Sequence, residues 1–354
     1  MNPTTPLPPA VPTPTPTPLA LVVIPTLNEA RHVEAVLARL CEGLPADHGW
    51  RFVVADGGSD DGTVEIVQRL ARADRRLHLL PNPGRLQSAG INLAVERFGA
   101  DAAILVRCDA HAEYPPGYVG QLVASLEAHG ADAVVVPMDS LGQSCVGRAI
   151  AWVSDTPVGS GGSAHRAGRR SGFVDHGHHA AFRMSSFRRA GGYDVSMMAN
   201  EDAELDGRLR KLGSRIFLDA AIRIGYHPRD SLARLWRQYF SYGRGRSRTV
   251  RRHPESLRLR QFAVPAHIGL CVLALLASPW LPWLALWPGA YLLALAGTSV
   301  ALAVRHRSPC GLLGGPAAFV MHVSWAFGFA QGLLTVREMR WQPDAPAGGG
   351  SAHG

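Results

Sequence analysis

A doubly wound α/β sheet followed by a block of membrane-spanning helices is the architecture that this chain of 354 residues predicts. Three observations predict it. Short apolar runs of strand length alternate with segments whose apolar residues recur at helical spacing, the pattern of strands covered on both faces by helices. Carboxylates collect just beyond those runs, where ligands bind in open α/β sheets. From Val264 to Val304 there is no Asp, Glu, Lys or Arg, enough for two membrane spans of roughly twenty residues each.

Met1 to Pro18 alternates Pro and Thr without the basic and apolar regions of a secretory signal, so residues 1–18 read as an extended, disordered tail. The first strand runs from Leu19 to Ile24. It leads through Pro25-Thr-Leu-Asn-Glu29 to a helix with Val33, Val36, Leu37 and Leu40 on one face. The unit then repeats: Phe52 to Ala55 is a strand, Asp56-Gly-Gly-Ser-Asp-Asp-Gly62 a loop, and Thr63 opens a helix carrying Val64, Val67, Leu70 and Ala71. An EF-hand reading of this loop fails, because Gly58 stands where a calcium ligand belongs and Asp61 where glycine is required. A helix around Ser88 to Arg97 precedes the strand Ala102 to Val106, and a helix near Gly117 to His129 precedes the run Val134 to Val136. Gln143 to Gly177, rich in Gly, Ser and Arg, reads as a mobile loop. Asn200 reads as the N-cap of a helix that Leu205, Leu209 and Leu212 continue until Gly213 stops it. Ile216 to Leu218 is a further strand.

From Phe262 onward the chain changes solvent. Pro279, Pro282 and Pro288 mark breaks, Trp280, Trp283 and Trp287 resemble an interfacial belt, and Gly311 to Val336 is a third candidate span. With the basic stretch before Phe262 in the cytoplasm, two spans return Arg305 and Arg307 to that side, whereas a third would leave Arg337 and Arg340 outside. Residues 261–340 therefore read as two to three membrane helices and 341–354 as a disordered tail.

The net charge is +8, with cations clustered from Arg166 to Arg170 and from Arg229 to Arg260. There is no zinc-finger spacing and no helix-turn-helix, and the second cluster ends where the apolar region begins. Phosphates or membrane headgroups are the expected partners, and nucleic acid is not. The five cysteines, Cys41, Cys108, Cys145, Cys271 and Cys310, share no Cys-x-x-Cys spacing and read as reduced thiols.

The chemistry centres on Leu105-Val-Arg-Cys-Asp-Ala-His111. Asp109 and His111 point the same way if the extended geometry persists. One carboxylate and one imidazole suit a divalent cation that keeps its other positions for phosphate oxygens. Taken alone, the same residues also describe a polar strand end before a turn. Glu201 and Asp202 stand in the first turn of a helix, where carboxylates also complement the dipole. The histidines of Asp175-His-Gly-His-His179 lack the separated pairs of structural zinc sites. Gly159-Ser-Gly-Gly-Ser-Ala164 lacks the strand and helix of a dinucleotide fingerprint.

Together, Pro25-Thr-Leu-Asn-Glu29, Asp56-Gly-Gly-Ser-Asp-Asp-Gly-Thr63, Asp109-Ala-His111, Glu201-Asp202-Ala-Glu-Leu205 and Gln238-Tyr-Phe-Ser-Tyr-Gly243 resemble family 2 glycosyltransferases of the GT-A fold. The likeness covers about Leu19 to Arg260. Val174-Asp-His-Gly-His-His-Ala-Ala-Phe-Arg183, with the Asp-Ala-His and the apolar tail, is similar to the succinoglycan-biosynthesis glucosyltransferase subgroup. The resemblance implies a GT-A domain over residues 19–260 with a doubly wound mixed sheet, a nucleotide-sugar donor, Mg²⁺ or Mn²⁺, and inverting transfer. Asp56 would meet the uracil or ribose, in a pocket walled by Pro25, Thr26, Asn28 and Glu29. Asp109 and His111 would hold the cation against the diphosphate, and Asp202, beside Glu201, would take the acceptor's proton. Arg183, His178 and His179 would lie near the sugar or the acceptor, with Gln238 and Arg244 on the donor side; Arg244 and Arg246 could equally meet lipid headgroups. Family members usually carry a second Asp where His111 stands, and an imidazole there favours Mn²⁺. The Gln-x-x-Arg-Trp of processive synthases is absent, so a single addition is expected.

The activity so implied is transfer of glucose from UDP-glucose to a polyprenyl-diphosphate-linked oligosaccharide in exopolysaccharide assembly. The enzyme would be a multi-pass protein of the inner (cytoplasmic) membrane with its catalytic domain in the cytoplasm. A loop from Gly159 to Gly172, with Arg166, Arg169 and Arg170, would close over the diphosphate. The rivals are a polyprenyl-phosphate sugar synthase and a non-catalytic nucleotide-sensing membrane scaffold.

Overall fold

A computed structural model of the chain describes residues 19–45, 49–161 and 170–343. Both expected tails lie outside these residues, except 341–343, as do Arg166 and Arg169 of the expected lid. Four strands, β1 (Ala20–Thr26), β2 (Trp50–Asp56), β3 (Leu77–Pro81) and β4 (Ile104–Arg107), pair in parallel in the order β3-β2-β1-β4. Beyond them come β5 (Ala133–Val136), β6 (Met138–Ser140), β7 (Gly172–Val174), β8 (His178–Arg183), β9 (Ile216–Leu218) and β10 (Ile224–Tyr226). The sheet continues from β4 through β8, β5 and β9 to β7, while β6 and β10 form a separate pair. Because β8 runs antiparallel to β4 and β5, the sheet is mixed.

Alternate residues of the central strands enter two cores. Val22, Ile24, Phe52 and Val54 pack with Val33, Leu37 and Leu40 of α1 (Val33–Cys41), Val67 of α2 (Thr63–Ala73) and Leu122 of α4 (Tyr118–Ala128). Leu21, Val23, Val53 and Ala55 pack on the other face with Ile91 and Ala94 of α3 (Gln87–Phe98) and Phe187 of α7 (Met184–Arg189). Leu205 and Leu209 of α8 (Glu201–Lys211) join the second core. Strands buried on both sides have no polar face, which is why they read as unbroken apolar runs.

The structure corrects several expectations. The segment expected to be a loop holds α5 (Cys145–Ser154) and α6 (Pro157–Ser160); Ser144 caps α5 by accepting from the Gly147 N–H at 2.9 Å. Ile150 and Val153 of α5 bury against the C-terminal apolar helices, a contact no local pattern announces. Asn200 is no side-chain cap: its φ is 62°, and its amide donates to the Tyr242 carbonyl at 2.9 Å. Cys145 and Cys310, 165 residues apart, form a disulfide, while Cys41, Cys108 and Cys271 are free. The expectation of five thiols fails because the partners meet only through tertiary packing.

The C-terminal part comprises α9 (Leu232–Arg252), α10 (Leu259–Ala277), α11 (Leu286–Arg305) and α12 (Gly314–Thr335). Pro282–Arg305 and Pro309–Thr335 are long and apolar enough to cross a membrane, whereas the apolar helix Gln261–Ala277 is shorter. α12 is seated on α9 backbone to backbone. A Cβ on Gly243 would meet the Trp325 carbonyl at 2.0 Å, and one on Gly328 the Phe240 carbonyl at 2.0 Å. Glycine is required at this crossing because the two backbones leave no room for a side chain.

Candidate active site

The parallel strands deliver their C-terminal ends to one edge of the sheet, and the loops after β1, β2 and β4 meet there. Asn28, at φ 59°, accepts from the Asp60 N–H at 3.0 Å, and its own N–H donates to Ser59 Oγ at 2.8 Å. The Glu29 N–H donates to Thr63 Oγ1 at 2.9 Å, so the two loops are fastened together. Pro25 and Thr26 lie beside Ala55 and Asp56 in register. Asp56 is buried, and its Oδ2 accepts from the N–H groups of Gly58 and Ser59 at 2.9 and 3.0 Å. Its Oδ1 accepts from Ser59 Oγ at 2.5 Å and Thr26 Oγ1 at 3.4 Å. Three of these bonds are short and the Thr26 contact is long, so Oδ1 keeps room for a further donor.

Two strands away, about 10 Å at the usual spacing, β4 ends in Arg107, a residue that the motif reading did not single out. It is 5% exposed, and three carboxylates converge on it. Asp202 Oδ1 accepts from its Nη1 at 2.5 Å, Asp109 Oδ1 lies 3.7 Å from Nη2, and Glu201 Oε1 lies 3.9 Å from Nη2. Burial opposes its charge, but Asp202, Tyr193, Asp109 and Glu201 outweigh it and hold the guanidinium charged. The available signal was a cation two residues before Asp109, hence on the same face of the strand.

Asp202 also accepts from the Tyr193 hydroxyl at 2.9 Å, leaving Oδ2 toward His178 Nδ1 at 3.8 Å. His178 Nε2 lies 3.6 Å from Asp109 Oδ2, so the imidazole stands between the two carboxylates. The antiparallel course of β8 brings His178 to this end and sends Arg183 to the other, where it is paired with Glu127 at 3.2 Å and donates to the Ala131 carbonyl at 3.0 Å. Arg183 is therefore not a donor contact.

Gln87 Nε2 donates to Asp109 Oδ1 at 2.8 Å. Burial opposes Asp109's charge, yet Arg107, His178 and His111 hold its carboxyl below the ordinary range. His111 Nδ1 lies 2.8 Å from Glu29 Oε1, a hydrogen bond that raises the imidazole above its ordinary value. An imidazole oriented through Nδ1 by a carboxylate presents Nε2 for coordination. Among the described residues no group of three or more His, Cys, Asp or Glu gathers as a metal cage. The pair of Asp109 and His111 fits a cation that takes its remaining ligands from a diphosphate.

A cleft of about 590 Å³ opens beside these groups, lined by Gln87, Glu201, Arg229, Arg234, Arg237 and Gln238 among others. Gln238 Nε2 donates to the hydroxyls of Tyr226 and Tyr242 at 3.0 and 2.9 Å. Arg244 does not line the cleft, because its backbone faces Gly332 of α12. Arg244 shares a helix face with Arg237, one heptad earlier, but the part of α9 that lines the cleft ends at Tyr242.

Burial, reinforced by the charge of Asp202 and partly offset by Arg107, raises Glu201 to about 6. The protonated form is favoured, so the Glu201–Asp202 pair gains a proton as pH falls through that value. Turnover at saturating substrate is expected to drop below about pH 6, and Glu201→Gln to move that limb to lower pH by removing the negative neighbour. A limb unmoved in the variant would assign it to another group.

The profile of Glycosyl transferase family 2 matches residues 21–191. The chain is 44% identical over 319 residues to the succinoglycan biosynthesis protein ExoA of Rhizobium meliloti, covering 90% of this chain and 96% of the relative. It is 31% identical over 118 residues to the polyprenol monophosphomannose synthase of Mycolicibacterium smegmatis, covering 32% of this chain and 43% of that one. The mannosyltransferase PcManGT from Pyrobaculum calidifontis, solved with GDP-Man and Mn²⁺, superposes with a TM-score of 0.58 at 22% identity, over 92% of this chain and 90% of that chain. With its mixed sheet in the GT-A arrangement, the chain belongs to glycosyltransferase family 2.

Proposed function

We propose that the protein transfers one sugar, with inversion, from a nucleoside diphosphate donor to a glycan carried on a polyprenyl diphosphate, in exopolysaccharide assembly at the cytoplasmic face of the inner membrane. UDP-glucose is the proposed donor. The observation that carries this reading is the convergence of Asp109, Glu201 and Asp202 on Arg107 beside an arginine-lined cleft. The likeness to a succinoglycan biosynthesis protein and to a polyprenol-linked synthase supports the polymer and the lipid carrier.

In the proposed reaction, Oδ2 of Asp202 takes the proton of the acceptor hydroxyl. The oxygen bonds to the anomeric carbon from the side opposite the leaving group, and the bond to the diphosphate breaks with its electron pair going to phosphate. Asp109 and His111 would hold Mn²⁺ or Mg²⁺, which when bound neutralises charge developing on the departing diphosphate; the Mn²⁺ of the structural neighbour supports such an ion. Arg107 and Tyr193 hold Asp202 through Oδ1, which fixes the orientation of the carboxylate. Arg229, Arg234 and Arg237 supply positive charge for a diphosphate entering the cleft.

Purified protein with labelled UDP-glucose and Mn²⁺ is expected to glycosylate a polyprenyl-diphosphate-linked oligosaccharide once, and bare polyprenyl phosphate not at all. Transfer to polyprenyl phosphate alone would make it a polyprenyl-phosphate sugar synthase. Donor binding without transfer to either acceptor would make it a nucleotide-sensing scaffold.

A further inference from the structure

The apolar helix α12 is held to the catalytic domain at its start, its middle and its end. Before its first turn, Cys310 is bonded to Cys145 of α5, and His306 stacks on Trp152 with ring centroids 4.1 Å apart. Ala317, Ala318 and Met321 share a buried cluster with Ile150 and Val153. Midway, His322 Nε2 donates to the Val158 carbonyl at 2.8 Å. At the far end Arg251 donates to the Gly332 carbonyl at 2.8 Å and to that of Val336. Glu338 pairs with Arg248 and, at 2.8 Å, with Arg252. The Trp341 N–H donates to the Arg252 carbonyl at 3.0 Å.

A helix of 22 residues is about 33 Å long. Crossing a hydrocarbon core of about 30 Å, it would place its ends in opposite aqueous phases. Here one folded body touches both ends. α12 packs against α9, with Phe240, Gly243 and Ser247 meeting residues between Trp325 and Gly332. α9 carries Arg234, Arg237, Arg244, Arg246, Arg248, Arg251 and Arg252, and cannot accompany a neighbour through hydrocarbon, where each guanidinium is strongly disfavoured. α11 lies alongside α12: Ser299 accepts from the Gly315 N–H at 2.8 Å, and Tyr291 and His322 are hydrogen-bonded at 2.9 Å. α10 joins through Phe262 on Phe329 and His267 on Tyr291.

We propose that α10, α11 and α12 form a raft that lies in one leaflet of an anionic bilayer without crossing it, replacing the multi-pass arrangement expected from hydropathy. Exposed apolar side chains on α10, α11 and the turn between them include Leu273, Leu276, Trp280, Trp283, Leu286 and Leu293, all between 63% and 80% exposed. An apolar surface this continuous calls for a cover, and the tryptophans suit the headgroup boundary. Arg305, Arg307, Arg337 and Arg340 are exposed at the two ends of the raft, which selects anionic headgroups. One to two helix diameters, about 10–20 Å, match a leaflet's hydrocarbon depth of about 15 Å. The raft leaves the cleft face of α9 at headgroup level, where a lipid-borne sugar presents its hydroxyl.

The test is independent of donor and acceptor. Arg307→Cys, Trp283→Cys and Arg340→Cys, each in the full chain, are treated with a membrane-impermeant maleimide in right-side-out and inside-out bacterial vesicles, with the unsubstituted chain as blank. Positions 307 and 340 are expected to label only in inside-out vesicles, and position 283 never from the outer face. Labelling of 307 and 340 from opposite faces, labelling of 283 from outside, or labelling of 307 and 340 only after detergent would each overturn the raft. Arg305→Cys and Met339→Cys replace any variant that fails to accumulate.

Discussion

Asp202→Asn is expected to lower the rate of sugar transfer by about 10²- to 10⁴-fold, the usual contribution of a positioned general base, while donor affinity stays within about twofold. The amide keeps the shape of the carboxylate, and its carbonyl oxygen still accepts from Arg107 and Tyr193, which hold Asp202 at 2.5 and 2.9 Å. What is lost is the oxygen that takes the proton. Donor binding, followed by fluorescence or calorimetry, separates this from a collapse of the site, since Asp109 and His111 lie on a different loop. A variant that turns over normally would remove Asp202 from the chemistry. One that loses donor affinity in step with rate would make it a support for the site instead.

Arg107→Met is expected to destabilise the fold by about 3–5 kcal/mol, as removing one partner from a buried ion pair does, and to abolish transfer. The methionine fills most of the space but leaves Asp202, Asp109 and Glu201 facing one another without the charge at their centre. At about 2–4 °C per kcal/mol the thermal midpoint should fall on the order of 10 °C. The loss should lessen at low pH, where a proton on Glu201, already raised to about 6, relieves the repulsion. An unchanged midpoint would show that the three carboxylates are neutralised in another way. Both variants act on one object, a guanidinium at a strand end that sets the geometry of the carboxylates around it.

Several misplaced residues show why the site was only partly legible. Arg183 follows His178 closely in sequence, and only the antiparallel pairing of β8 reveals that five residues of extended chain carry it to the far edge of the sheet. Arg244 belongs to the right helix but lies beyond the part of it that lines the cleft, with its backbone against Gly332. Asp56, by contrast, stands at the expected strand end, held by Gly58 and Ser59 of its own loop, a set of bonds that its position alone does not announce. α5 was hidden in a glycine-rich stretch because its apolar face meets the C-terminal helices, more than 140 residues later.

The sequence alone determined the alternation of strand and helix, the edge of the sheet where carboxylates collect, and the apolar character of the C-terminal quarter. These follow from periodicity and composition, which are local properties. The tertiary structure decided strand direction in the second half of the sheet, the pairing of Cys145 with Cys310, the gathering of Asp109, Glu201 and Asp202 on Arg107, and the seating of α12 along α9. Each depends on which distant segments pack together, and long-range packing rests on the fit of whole surfaces that no short stretch of chain contains.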